Sequence, residues 1–247
     1  IPTVPQYIAW VVNKMLLFLN FSVEWVDSLP FSLTLGISIS TLETILVYLI
    51  ILLMIPSLIK RNSKGVKVAL SLSVLLISFQ IYEKIVMQKQ QYFVVYDVPN
   101  ESAIDFVDGI ENYFLATEKL NNDQSKMRFH IMYYRWERRV QKSTLIPNLF
   151  SKQNYFRKGN YIQFFNTKIL LWDTDFKVPN NVSNMKFDFV IVSGKAKVDL
   201  ESINCKQLVI DSSVPKYKWE QIKKECLKWD IPFYNVSTEG AYLFEFI

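Results

Sequence analysis

An apolar hairpin constrains this chain more than any other feature of its sequence. Two long apolar segments, residues 41–59 and 66–86, flank one short connector that is rich in Lys and Arg. A helix needs about 20 residues to cross the hydrocarbon core of a bilayer, and each segment has about that length. The alternative is a pair of buried core helices in a soluble protein. The segments are too long and too uniformly apolar for that, so we predict two transmembrane helices.

The distribution of positive charge predicts the orientation of the hairpin. The connector contains Lys60, Arg61, Lys64 and Lys67, whereas the opposite flanks of the two segments carry fewer cations. Short loops rich in Lys and Arg stay on the cytoplasmic side of a membrane. We therefore expect a multi-pass protein of the cell inner (plasma) membrane, with the part after residue 90 on the extracytoplasmic side.

The overall composition is a mixture of two regions. Half of the residues are hydrophobic, yet the net charge is +5. This predicts a membrane region over residues 1–90 and a soluble domain over residues 91–247, which is long enough to bury its own core. The chain starts at Ile1 with no basic n-region and no small-residue cleavage site. We expect the C-terminal part of a longer multi-span protein, or a truncated reading frame.

The first segment, residues 4–29, is predicted to be an amphipathic helix that ends near Pro30. Its polar residues fall within an arc of about 60° at 100° per residue. One interpretation places the helix in the bilayer interface with this stripe toward water, and it is the one we favour. The other is a spanning helix whose stripe faces a wet pathway or partner helices. The stripe contains Gln6 and the candidate membrane-face residues Asn13, Asn20, Glu24 and Asp27.

The soluble region is rich in strands first and then alternates strands with a helix. This order predicts an α/β sandwich with mixed sheets. The clearest helix spans residues 219–229, where apolar residues recur on one side and lysines on the other. Strands are predicted at residues 92–98, 103–107, 112–116, 129–136, 161–165, 168–172, 187–192, 207–210, 232–236 and 241–246. The second and third flank the turn Asp108–Gly109, and the strands at 161–165 and 168–172 are predicted to form a hairpin.

A basic stretch from Lys126 to Lys158 is the sharpest local feature of the soluble region. It holds nine Lys and Arg and one acid, Glu137, whereas the remainder of the region has 12 Lys and Arg against 18 Asp and Glu. Aromatic residues are interleaved with these cations. Cations that follow phosphates and rings that stack on bases are what a groove for single-stranded DNA needs. The candidate DNA-binding residues are Arg128, Arg135, Arg138, Arg139, Lys142, Arg157 and Lys158.

Two other interpretations of the basic stretch stay open. One is a solvated face whose aromatic residues fill the core, and the other is a surface that meets anionic lipid headgroups. The cysteines are equally ambiguous. Cys205 and Cys226 are the only two in the chain, so they cannot build a four-ligand metal site by themselves. A disulfide and a pair of semi-buried thiols are about equally consistent with the sequence.

Three stretches resemble parts of a known family. Residues 20–31 are similar to the end of a competence membrane domain. Asp97, Val98 and Ala103 match a DVGQGDA-like turn, whose glycines are lost here, and residues 239–242 resemble the closing strand. In this order and spacing they resemble the C-terminal part of the ComEC family of DNA-internalisation proteins. The resemblance covers essentially the whole chain and is strongest to the shortened forms of Bacteroidetes-type bacteria.

The resemblance implies a metallo-β-lactamase-like outer domain in a membrane channel that takes up single-stranded DNA in natural transformation. Active members of the family bind metals through an HxHxDH motif, but this chain has a single histidine, His130. We therefore expect a degenerate domain, with no cofactor and no catalytic residues, that guides DNA without hydrolysing it. Expected partners are the membrane, single-stranded DNA, other competence proteins and a second copy of the chain. The alternatives are a membrane-tethered nuclease with an atypical metal site at Asp173, and a structural membrane protein that binds another protein.

Overall fold

The computed structural model describes residues 4–28, 39–140, 142–174, 176 and 185–246, with the backbone alone for residues 4, 5, 27, 142 and 202. The chain divides into two compact units, residues 1–38 and 39–247. The first unit contains helix α1 (Val4–Asp27), which is the helix predicted over residues 4–29. Asn13, Asn20 and Glu24 are exposed on it, while residue 29 and the side chain of Asp27 lie outside the described part.

The second unit begins with the predicted apolar hairpin, formed by α2 (Thr41–Ile59) and α3 (Ser63–Met87). Ser40 and Glu43 cap the start of α2 reciprocally. Gly65 lets the two helices approach closely, because a Cβ there would lie 2.0 Å from the Ser57 hydroxyl oxygen. Both helices are long and apolar enough to cross a membrane, with mean hydropathies of 2.4 and 1.7. Only 11% and 6% of these windows is buried, unlike core helices of a soluble protein.

The folded part after the hairpin contains a five-stranded sheet in the order β12-β1-β2-β3-β4. Its pairings are antiparallel except for β3 with β4. The β2–β3 hairpin was predicted, and its turn places Gly109 at φ +64°, where glycine is favoured. The strands are β1 (Gln91–Val95), β2 (Ala103–Asp108), β3 (Glu111–Ala116), β4 (Lys142–Leu145) and β12 (Tyr242–Glu245).

A seven-stranded sheet follows the order β11-β10-β9-β8-β7-β6-β5. Strands β5 to β8 pair in antiparallel hairpins, and β8 to β11 pair in parallel. Strand β5 is therefore an edge. The strands are β5 (Leu149–Lys152), β6 (Tyr155–Lys158), β7 (Tyr161–Phe164), β8 (Thr167–Trp172), β9 (Lys186–Val192), β10 (Asn204–Ile210) and β11 (Phe233–Asn235).

The two sheets face each other across an aromatic core. The rings of Phe93 and Phe189, one from each sheet, lie 5.0 Å apart between centroids. Outside the seven-stranded sheet lies a helix that packs through Ile222 and Cys226. Outside the five-stranded sheet lies a helical segment that packs through Ile131. These layers (helix, sheet, sheet, helix) confirm the predicted α/β sandwich with mixed sheets.

The prediction of a strand at residues 129–136 was wrong, because this region is helical. Its aromatic residues suggested a strand, but the buried Ile131 and Arg135 are four residues apart, which is the helical repeat. Strands β4, β5 and β6 were missed, since they are short and largely exposed. The helices of the folded part are α4 (Glu118–Asn121), α5 (Gln124–Met127), a π-helical turn (Arg128–Met132), α6 (Tyr133–Glu137), a 3₁₀ turn (Leu200–Ser202), α7 (Lys216–Lys228) and α8 (Val236–Glu239).

Candidate nucleic-acid interface

The structure distributes the seven candidate DNA-binding residues over both sides of the sandwich. Four of them lie within residues 124–139, which we define as the helical segment, and three lie on strands of the two sheets. Lys142 belongs to β4, and its side chain lies outside the described part. The four on the helical segment are Arg128, Arg135, Arg138 and Arg139, and the two remaining strand residues are Arg157 and Lys158 on β6.

Arg135 is buried between the helical segment and the five-stranded sheet. Its Nε and Nη2 atoms donate to the two carboxylate oxygens of Asp105 at 2.8 and 2.7 Å. The guanidinium carbon also lies 4.2 Å from the centre of the Phe114 ring, and the Tyr96 hydroxyl donates to Asp105 at 2.7 Å. Burial acts to lower the pKa of Arg135, but the contact with Asp105 raises it above its usual value. This guanidinium is engaged inside the fold and does not face solvent.

Arg138 and Arg139 also pair with carboxylates. Arg138 Nη1 lies 2.9 Å from Glu245 Oε1 at the end of β12. Arg139 Nη2 lies 2.6 Å from Glu83 Oε2 on helix α3 and 3.9 Å from Glu43 Oε1 on helix α2. Three of the four arginines of the helical segment therefore hold the fold together before any ligand is considered.

Arg128 lies on the opposite, solvent-facing side of the helical segment. It lines a groove of about 560 Å³ together with Phe129, Tyr133 and Trp136. Phe129 and Tyr133 are 81% and 70% exposed, which is unusual for rings of this size. His130 is half-buried beside this groove, with its ring centre 5.0 Å from that of Phe129.

Arg157 points toward a cavity between the ends of the two sheets. Its Nε donates to the carbonyl oxygen of Gly159 and its Nη1 to that of Ile146, both at 3.0 Å. Burial lowers the pKa of this guanidinium. The cavity, of about 340 Å³, contains one acidic residue, Asp173, in its lining. Within the described residues, no group of three or more His, Cys, Asp or Glu is placed to hold a metal ion.

Lys158 is exposed on the outer side of the seven-stranded sheet, away from the core between the two sheets. Residues 155, 162 and 164 point into the core, so residues 156, 158 and 163 point outward. Phe156 is opposite Gln163 on β7, and Gln163 is opposite Lys168 on β8. We call Phe156, Lys158, Gln163 and Lys168 the open sheet face. All four side chains are exposed.

Lys168 was not predicted as a site residue, because it lies outside the basic stretch. Only the strand register brings it to the same side of the sheet as Phe156, two strands away with Gln163 between them. The pairing of β7 with β8 was visible in the sequence as a predicted hairpin. The missing information was β6, whose alternation of exposed and buried residues identifies it as a strand in the structure.

A buried carboxyl group at the end of β10 was also missed. Asp211 is fully buried, and its Oδ1 accepts hydrogen bonds from the backbone and hydroxyl of Ser213 at 2.9 and 2.5 Å. Burial raises the pKa of Asp211 to about 6. The Ser213 hydroxyl oxygen in turn accepts from the Gly194 amide at 2.7 Å, which ties the ends of β9 and β10 together.

The two cysteines are separate thiols in the structure. Cys226 is buried on α7, and Cys205 is half-buried on β10. Burial raises the pKa of Cys205 to about 11 and that of Cys226 to about 12. Both thiols therefore stay protonated at neutral pH, which makes them poor nucleophiles.

Residues 93–246 match the family model of the ComEC C-terminal domain. This chain belongs to the ComEC family. The match runs from β1 to the end of β12, so the ComEC domain is the two-sheet sandwich that follows the hairpin. No curated protein and no solved structure matches the chain. Membership associates the protein with the membrane and with DNA uptake in competence.

Proposed function

We propose that this ComEC-family protein is part of a membrane channel for single-stranded DNA in natural transformation. The outer domain guides the strand without hydrolysing it. The observation that carries the proposal is the open sheet face, where the side chains of Phe156, Lys158, Gln163 and Lys168 are all exposed on one side of three neighbouring strands. A ring offers a base a stacking surface, and lysines attract the phosphates on either side of that base.

The side chains that could act as metal ligands support a guiding role rather than a hydrolytic one. Metal-dependent hydrolysis of a phosphodiester by a binuclear site needs several imidazole and carboxylate ligands that converge on the metals. The chain has one histidine, His130. It lies on the helical segment outside the five-stranded sheet, whereas Asp173 lines the cavity between the two sheets. The layer order is consistent with our proposal that the sandwich is a degenerate metallo-β-lactamase-like fold.

The proposed arrangement in the membrane follows from the hairpin. Helices α2 and α3 span the inner membrane, and their connector, with Lys60, Arg61 and Lys64, lies on the cytoplasmic side. The folded domain then lies outside the cytoplasm, where DNA arrives. Other competence proteins and a second copy of the chain are the proposed partners in the assembled channel.

The test uses the full chain in lipid nanodiscs and a labelled single-stranded oligonucleotide. The variant combines Lys158→Glu with Lys168→Glu. The control combines Lys197→Glu with Lys224→Glu, which changes the net charge equally at two exposed lysines elsewhere. We expect the first variant to lose most of its affinity and the control to retain it. Equal affinities for the two variants would contradict the assignment of the open sheet face.

The same samples test hydrolysis. Protein loaded with Mn²⁺ or Zn²⁺ is incubated with single- and double-stranded DNA, and we expect both to stay intact. Metal-dependent cleavage that is lost in Asp173→Ala would replace the guiding role with the nuclease alternative. Neither binding nor cleavage by the wild-type chain would favour a structural domain that binds another protein.

A further inference from the structure

The C-terminal end of the helical segment is fixed to the membrane hairpin. Arg139 Nη2 lies 2.6 Å from Glu83 Oε2, about one turn before helix α3 ends at Met87. The side-chain amide of Gln90 adds a second connection, because its Nε2 donates to the backbone oxygen of Arg138 at 2.9 Å. The segment thus meets the hairpin at the level where α3 leaves the apolar part of the chain.

The solvent-facing side of the same segment carries an aromatic patch that is exposed in the part of the chain that the structure describes. Phe129 and Tyr133 are mostly exposed, and Trp136 lines the same groove with Arg128. The opposite side packs Ile131 into the sheet. Clustered exposed rings on a folded domain mark a surface that contacts something else.

We propose that this aromatic face lies against the lipid headgroups of the bilayer that α2 and α3 cross. Trp and Tyr are enriched at the membrane–water interface, and a neighbouring Arg suits an anionic phosphate headgroup. The Arg139 amide donates to the carbonyl oxygen of Trp136 at 3.0 Å, so the Trp136 backbone lies beside the residue that contacts Glu83. Tyr82 is 65% exposed on α3 next to Glu83 and belongs to the same interfacial level.

Lipid suits this face better than nucleic acid because of where the charges are engaged. Arg135, Arg138 and Arg139 each pair with a carboxylate, so Arg128 is the cation that the face itself offers. A strand of DNA needs repeated phosphate contacts, whereas an interfacial helix needs mainly rings and a single flanking cation. The proposed contact does not depend on DNA binding by the open sheet face.

The experiment compares two exposed rings on opposite sides of the domain. The full chain carries Tyr133→Cys or, as the matched control, Phe156→Cys, and each new thiol is labelled with a fluorescent maleimide. At neutral pH the native thiols react slowly, since burial raises the pKa of Cys205 to about 11 and that of Cys226 to about 12. Each labelled protein is placed in nanodiscs of phosphatidylcholine and phosphatidylglycerol, with and without brominated acyl chains.

We expect brominated lipid to remove most of the fluorescence at position 133 and almost none at position 156. The variant Phe129→Cys repeats the measurement one turn away, so that a local disturbance at position 133 is not mistaken for the result. Equal insensitivity at positions 129, 133 and 156 would overturn the proposal. Aqueous iodide quenching at position 133 that an added single-stranded oligonucleotide suppresses would also overturn it, in favour of nucleic acid.

Discussion

The basic stretch contains two halves that look alike in charge and differ in what their cations contact. In the helical segment, three of four arginines are paired with carboxylates that are distant in sequence. In the strand half, residues 142–158, Lys158 is exposed on the open sheet face beside Phe156. A run of cations therefore does not identify a binding surface. The neighbours that the fold brings to each cation decide whether it is available.

The difference arises from the two kinds of secondary structure. A helix that packs on a sheet turns part of its circumference inward, so an arginine on that side requires a buried partner such as Asp105. A strand alternates sides, so Lys158 and Phe156 point outward while Tyr155 and Arg157 point inward. Arg135 therefore contributes to stability, whereas Lys158 is exposed to a ligand. Lys152, in the same half as Lys158, pairs with Glu111.

The largest expected effect tests the buried pair in the helical segment. Replacing Arg135 with Met leaves Asp105 buried without its partner, which costs about 3–5 kcal/mol for a buried ion pair. Thermal or urea unfolding of the detergent-solubilised chain, followed by near-UV circular dichroism, measures this loss. Arg128→Met is the control on the exposed side, where we expect a change within about 0.5 kcal/mol. Similar losses of stability for the two variants would contradict the proposed difference between the buried and the exposed side of the helical segment.

The second prediction compares one exposed ring from each half. Phe156→Ala is expected to weaken single-stranded DNA binding by about 1–3 kcal/mol, since a stacked base loses its platform. Phe129→Ala is expected to leave the affinity unchanged, because that ring is assigned to lipid. Fluorescence anisotropy with the full chain in nanodiscs measures both. The reverse result would exchange the roles of the two halves.

The parts of the fold that the sequence could predict depend on long, regular patterns. The hairpin followed from the length and uniformity of two apolar segments, and the β2–β3 hairpin followed from two apolar runs around Asp108 and Gly109. The region 129–136 was misread because rings such as Phe129 and Tyr133, typical of strands, are here exposed on a helical segment. Local composition cannot show which side of an element will be covered.

The candidate site was harder to predict, because pairing partners are far apart in the chain. Asp105 lies 30 residues before Arg135, and Glu83 lies 56 before Arg139. Neither contact leaves a local signal in the sequence. Lys168 joins Phe156 only through the register of β6, β7 and β8. Whether a cation is available to a ligand therefore depends on the topology of the fold, whereas the net charge of a segment follows from its composition alone.

The third prediction tests the connection between the helical segment and the hairpin. Arg139→Gln and Glu83→Gln, alone and combined, form a double-mutant cycle around the 2.6 Å ion pair. Both side chains are about a quarter exposed, so we expect a coupling of about 1 kcal/mol rather than the value of a fully buried pair. Unfolding in detergent measures the coupling. Additive effects of the two substitutions would show that the pair does not hold the segment to α3.

The smallest expected effect on stability is that of a substitution at Lys158. This substitution tests most directly whether the exposed cation differs in role from the buried Arg135. Lys158→Ala removes an exposed cation, so we expect the free energy of unfolding to change by less than about 0.5 kcal/mol. The same change is expected to reduce the slope of log affinity against log salt by about 0.7, which corresponds to one phosphate contact on a single strand. Titrations at several salt concentrations measure the slope, with Lys224→Ala as the exposed control on α7. An unchanged slope would mean that this lysine meets no phosphate. A reduced slope with unchanged stability, set beside the reverse behaviour of Arg135, would show that Lys158 binds the ligand while Arg135 holds the fold.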